Sequence, residues 1–167
     1  GTVLDAVAAS GLDVVTVGQG IERLRCPPVP PANDTCPGEK LTLSIGTSAT
    51  VTGTLENATD DYQTFCADVS PEPTAADVVY ELDVPAPATV TLECNASGFI
   101  PAMSLRKQQC TTEVGGDMCL QLGTTDLTTK VALEAGTYWI VIDTRYGSSG
   151  TFSLAATTSG NQQYAET

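Results

Sequence analysis

Leu133-Glu-Ala-Gly-Thr-Tyr-Trp-Ile-Val-Ile-Asp143 is the stretch on which the fold turns. Ala135-Gly136 is turn chemistry, and Tyr138 to Ile142, which follow it, are apolar at every position. A strand with one wet face alternates apolar and polar residues; one without alternation lies inside a sheet covered on both sides. The segment therefore predicts a central strand, Thr137–Asp143. Outward from it the period is two. Val90 and Leu92 of Thr89-Val-Thr-Leu-Glu93, and Phe152 and Leu154 of Thr151-Phe-Ser-Leu154, point to one face, with threonines on the other. Further strands are expected at Leu41–Ile45, Thr50–Leu55, Tyr62–Cys66, Val78–Val84, Ala88–Cys94, Met103–Arg106, Met118–Leu122, Thr128–Leu133 and Thr151–Ala156. Gly46-Thr-Ser48, Asn57-Ala-Thr-Asp-Asp61, Pro71-Glu-Pro73, Pro85-Ala-Pro87 and Gly147-Ser-Ser-Gly150 separate them with turn residues. About eight to ten short strands at this spacing predict an all-β sandwich.

Composition narrows the chemistry. The 167 residues carry 20 Asp plus Glu against 7 Lys plus Arg, a net charge of −13, and no histidine. Ser-His-Asp and Cys-His nucleophile systems and histidine zinc sites are thereby excluded. The scattered cations form no run able to neutralise a string of phosphates, so no nucleic-acid partner is expected, and anionic membrane surfaces are disfavoured. No apolar stretch is long enough for membrane insertion as a helix.

Six segments, taken in order, resemble one family. They are Asn33-Asp-Thr-Cys36, Asp60-Asp-Tyr62 ahead of Cys66, Asp77-Val-Val-Tyr-Glu-Leu82, Ala88-Thr-Val-Thr-Leu92, the Leu133–Asp143 stretch and Gly150-Thr-Phe-Ser-Leu154. Together, over residues 33–158, they are similar to the bacterial pre-peptidase C-terminal (PPC) domains. The resemblance implies a secreted, jelly-roll-like β-sandwich, an accessory module of extracellular hydrolases and surface proteins without catalysis of its own. The family has no counterpart to residues 1–25.

Cys26, Cys36, Cys66, Cys94, Cys110 and Cys119 include no CxxC pair. Disulfides in an exported protein are the simplest account, and a signal peptide would already be lost from a chain opening at Gly1. Six cysteines allow fifteen pairings. The short loop through Gly115-Gly116 favours Cys110–Cys119, with Cys36–Cys66 next and Cys26–Cys94 left over.

Several side-chain groups invite chemistry. Asp60, Asp61 and Asp77 are loop acids that could supply oxygens to calcium, the one cofactor considered, although the EF-hand spacing is missing and solvated acids are the plainer reading. With 20 acids, some carboxylate pair will meet glycosidase spacing by chance, so no enzyme is expected. Ser104-Leu-Arg-Lys107 has a Ser–Lys spacing that belongs on a helix, whereas here it reads as a strand with a basic edge. Trp139 reads as core. Tyr146 is the aromatic placed to touch a glycan, against a packing role in its hairpin. Sequons occur at Asn33, Asn57 and Asn95.

Residues 1–25 form an N-terminal arm, followed by the Pro-rich spacer 26–32, the sandwich 33–158 and a tail 159–167. Leu12, Val14, Val15 and Val17 suit a strand, while Leu4, Val7 and Leu12 suit a helical stripe almost as well. The arm must bury these groups, on its own sandwich or by completing the sheet of a neighbour. Extended, it reaches about 80–90 Å, beyond the roughly 35–40 Å diameter of such a body. Head-to-tail clasping would build a filament of copies of itself. The sequence thus predicts a non-catalytic, secreted structural or adhesive subunit at the cell surface, assembling through its arm. The alternative is an accessory carbohydrate- or protein-binding module of a secreted hydrolase system, contacting a glycan or a cell-surface protein.

Overall fold

A computed structural model describes residues 28–62, 75–112, 118–122 and 125–160. Among them are nine strands: β1 (Glu39–Thr42), β2 (Ser48–Thr54), β3 (Val78–Val84), β4 (Ala88–Ser97), β5 (Pro101–Arg106), β6 (Met118–Leu122), β7 (Asp126–Leu133), β8 (Gly136–Thr144) and β9 (Thr151–Gly160). They form two sheets, β1-β3-β8-β5-β6 and β2-β9-β4-β7. The chain passes repeatedly from one sheet to the other, giving a jelly-roll-like sandwich. Pairing is antiparallel throughout except where β1 runs parallel to β3.

The central position of β8 follows from its composition. It hydrogen-bonds β3 on one side and β5 on the other, and a strand with neighbours on both edges and cover on both faces has no place for polar alternation. Tyr138, Ile140 and Ile142 enter the main core with Val78, Tyr80 and Leu82 of β3 and Met103 and Leu105 of β5. The facing sheet contributes Val90, Leu92, Leu127, Phe152 and Leu154, at the alternate positions that the period of two marks.

A second, smaller cluster covers the outer face of the five-stranded sheet. Tyr62, Val79 and Val141 are buried there, with Cys36, Cys110 and Trp139 packed against them. Every residue of β5 is buried, so this sheet is roofed as well as floored. The roof is stapled by a Cys36–Cys110 disulfide, with Cα atoms 5.9 Å apart. Gly38 lets the roof descend, since a Cβ there would stand 2.0 Å from the Val79 carbonyl oxygen.

The structure corrects several expectations. Cys36 pairs with Cys110, not Cys66. Cys119 is disulfide-bonded, but not to Cys110. Cys94 is a free, buried thiol, on the inner face of β4, so the leftover pairing with Cys26 does not form; burial pushes its pKa up to about 12. The physical reason is topological: strand order brings the loops before β1 and after β5 together over one sheet, which sequence separation cannot reveal. Arg106 is not an edge cation, because β5 lies between β8 and β6, and Arg106 is 1% exposed. Trp139 is half-buried on the outer face rather than in the main core. Tyr62 lies in a loop rather than in a strand. Leu4, Val7, Leu12, Val14, Val15 and Val17 of the arm, and Cys26 and Cys66, lie outside the described residues.

Candidate functional site

An open slot of about 830 Å³ runs along the side of the sandwich where β1 and β2 form the two sheet edges. Gly53, Phe152 and Ala96, opposite one another across β2, β9 and β4, make one apolar wall. The small residues matter: a Cβ on Gly53 would lie 2.4 Å from the Phe152 ring and 2.6 Å from the Tyr80 hydroxyl. Tyr80 contributes from the facing sheet, its ring edge-on to Phe152 with centroids 6.1 Å apart. Pro31, Asn33 and Glu39 complete the lining.

Two polar groups at the slot are unusual. Asn33 is 5% exposed, and its Nδ2 has only the Tyr80 hydroxyl beside it, outside good hydrogen-bond geometry, whereas buried donors are as a rule fully satisfied. Its backbone is fixed, the Asn33 carbonyl accepting from the Val79 N–H at 2.8 Å. Burial pushes the Tyr80 hydroxyl up to about 12, partly offset by the Asn33 amide beside it. A buried donor, a phenol and the exposed Glu39 carboxylate thus face an apolar wall.

The acidic loop is organised around Asp77, which is 0% exposed. Its Oδ2 accepts the backbone N–H groups of Asp61 and Tyr62 at 3.0 and 2.8 Å, while Oδ1 has no partner. Desolvation, with a smaller contribution from the charge of Asp143, raises its pKa to about 8. Asp34 accepts from the Thr59 N–H at 2.7 Å and lies 2.9 Å from the Thr59 hydroxyl, which also approaches Asp61 at 2.5 Å. Asp60 and Asp61 are exposed. Among the described residues no three Asp, Glu or Cys side chains are grouped closely enough to hold a metal ion. The loop is tied down by carboxylates that accept from backbone, a structural arrangement that continues to the roof: the Tyr62 hydroxyl accepts from the Cys36 N–H at 2.8 Å. The Arg106 guanidinium sits 5.4 Å over the Tyr62 ring and donates from Nη1 to the Cys110 carbonyl at 2.5 Å.

Tyr146 is 59% exposed and does not line the slot, and the Arg145 guanidinium stands 5.3 Å over its ring. The residues singled out from sequence are therefore not gathered into one site. Asp77 is a loop anchor, Tyr146 stands alone, and the slot residues Asn33, Glu39, Tyr80 and Phe152 were not picked out as a group. In the sequence Asn33 stands out as a sequon and as the head of the Asn33–Cys36 segment, and no local pattern announces that β1 and β2 will flank a common opening.

No family model and no curated protein matches the chain. Among solved structures it is similar to the pre-peptidase C-terminal domain of a collagenase from Bacillus anthracis, at 14% identity over 73% of this chain and 98% of that one, TM-score 0.47. A periplasmic inhibitor of g-type lysozyme from Aeromonas hydrophila is 18% identical over 72% of this chain and 94% of that one, TM-score 0.46. A mannanase from Podospora anserina with a carbohydrate-binding module is 15% identical over 68% of this chain and 28% of that one, TM-score 0.37. Likeness this distant assigns neither family nor function, and the all-β sandwich rests on the strand order and register described above.

Proposed function

We propose that this chain is a non-catalytic module working in an oxidising, extracellular setting, and that it binds a partner, a neutral glycan or a segment of protein, in the slot between β1 and β2. The observation that carries the reading is the buried Asn33 amide, set with the Tyr80 hydroxyl beside it against an apolar wall of the slot. A buried donor whose hydrogen bonding is incomplete costs up to about 1–3 kcal/mol, and a ligand that completes the bonding of Asn33 would offset that cost. Hydroxyl-rich ligands both donate and accept, and so suit Asn33, Tyr80 and Glu39 together. Anionic ligands are disfavoured by the net charge of −13. The Cys36–Cys110 disulfide supports the extracellular setting. Titration calorimetry against neutral oligosaccharides and extended peptides is the test. Binding should weaken at least tenfold in Asn33→Ala; equal affinity in that variant, or no binding of either class, would overturn the reading. No cofactor is assigned. Calcium held by Asp60, Asp61 and Asp77 would reveal itself as a melting temperature that falls on chelation.

A second reading, self-assembly at the cell surface through the arm, is favoured by one observation. Pro31, the fourth described residue, lines the slot, and the sequence carrying Leu4, Val7, Leu12, Val14, Val15 and Val17 precedes it in the chain. Electron microscopy of the intact protein would show filaments on this reading, and Val15→Asp would abolish them. A field of single particles at high concentration would count against it.

A further inference from the structure

The outer edges of the two sheets are not guarded alike. Edge strands are normally kept from pairing with other chains by shortness, by lysine or other charges, or by bulges. β1 has only four residues, and its Lys40 ammonium pairs with Glu81, at 3.2 Å, and Asp83. β6 has five residues and a register break against β5 between Met103 and Ser104. β7 carries Asp126 and Lys130. β2 has none of these devices. It is seven uncharged residues, Ser48-Ala-Thr-Val-Thr-Gly-Thr54, in unbroken register with β9, and among the described residues its other edge pairs with nothing. Both ends are pinned in the extended form: Thr157 Oγ1 donates to Ser48 Oγ at 3.0 Å, and Thr54 Oγ1 to the Gly150 carbonyl at 3.1 Å.

The strand also reads nearly the same in both directions about Val51. Thr50 mirrors Thr52, Ala49 mirrors the equally small Gly53, and Ser48 mirrors Thr54. Two copies of a strand paired antiparallel about a central residue place each position opposite its mirror. We propose that β2 pairs with β2 of a second copy of this chain across a two-fold axis at Val51, joining two four-stranded sheets into one of eight strands. On the solvent face, Thr50 of each copy then stands opposite Thr52 of the other, a hydroxyl pair of the kind that supports antiparallel sheets. On the inner face, Ala49 meets Gly53 and Val51 meets itself, so no large side chains collide. Charge favours this seam over the β1 and β7 edges, which carry Glu39 and Asp126: each copy carries −13, and β2 places no carboxylate at the contact. Such a contact uses the same patch twice and closes at two copies, unlike a head-to-tail contact, which propagates. One strand pair falls short of the roughly 1,200 Å² of a standard stable interface. The dimer is therefore weak, concentration-dependent and strengthened by salt, which screens the repulsion between the two bodies.

Sedimentation velocity on the intact chain, from micromolar to millimolar concentration at low and high salt, tests the proposal. The expected result is a mass that rises to twice the monomer and stops there, with tighter association at high salt. Thr50→Lys with Thr52→Lys, which sets lysine opposite lysine across the seam, should weaken association at least tenfold; both threonines are exposed, and an unchanged thermal melt would show that the fold is kept. Thr52→Lys alone is the gentler variant should the pair fail to fold, and Thr128→Lys on β7 should leave the dimer intact. A monomer at every concentration, a dimer indifferent to the β2 lysines, or a mass that climbs past two copies would each overturn the proposal.

Discussion

Asp77 shows how one residue can look like chemistry and act as structure. Its side chain accepts two loop N–H groups through Oδ2 and leaves Oδ1 buried without a partner. Because its pKa rises from 3.8 to about 8, the folded protein holds a proton there that the unfolded chain gives up. That contribution to stability is complete below about pH 4 and is lost as pH rises through about 8. Each pKa unit corresponds to about 1.4 kcal/mol, so the effect amounts to several kcal/mol at its upper bound. Asp77→Asn keeps an oxygen acceptor for Asp61 and Tyr62 and removes the buried charge. Its melting temperature is expected to fall less than that of the parent between pH 5 and 9; parallel curves would mean that Asp77 does not titrate in this window. Asp77 was legible as an acid near a loop, but its burial was not, because burial comes from the roof.

At the scale of elements, the strand ladder was nearly all present in the period of two. Val78–Val84 and Met118–Leu122 coincide with the observed β3 and β6, and six further strands differ only at their ends. The failures sit where pairing partners decide the matter. Leu41–Ile45 reads as a strand, but β1 ends at Thr42, where its parallel partnership with β3 ends at Asp83. Ser104-Leu-Arg-Lys107 reads as an edge, yet β5 is interior. Gly53 is a further case: in sequence it is a β-breaking residue inside a strand, and in the sandwich it is the clearance for Phe152 and the Tyr80 hydroxyl. Gly53→Val should therefore destabilise by about 1–3 kcal/mol through overpacking, measured by urea unfolding, and should also occlude the slot. A variant as stable as the parent would show that the wall can yield.

For the molecule as a whole, the arrangement is two hydrophobic layers on one five-stranded sheet, the second stapled by the Cys36–Cys110 bridge. Cys36–Cys110 encloses a separation of 74 residues, so its removal should cost roughly 2–4 kcal/mol, largely through the unfolded state. Cys36→Ser with Cys110→Ser is expected to lower the thermal midpoint by several degrees while leaving the strand signal in circular dichroism. An unchanged midpoint would mean that the Tyr62, Arg106 and Val79 contacts alone hold the roof.

Fold class, the central place of the Thr137–Asp143 strand and the exclusion of histidine chemistry can be read from the chain alone, because alternation, turn residues and composition are local and act on a chain whatever its partners. Only the tertiary structure decided which cysteines meet, which carboxylate is buried, and that Asn33, Glu39, Tyr80 and Phe152 border one opening. Those outcomes depend on strand order and on which loops cross which face, and contacts between residues far apart in the chain leave no periodic mark on it.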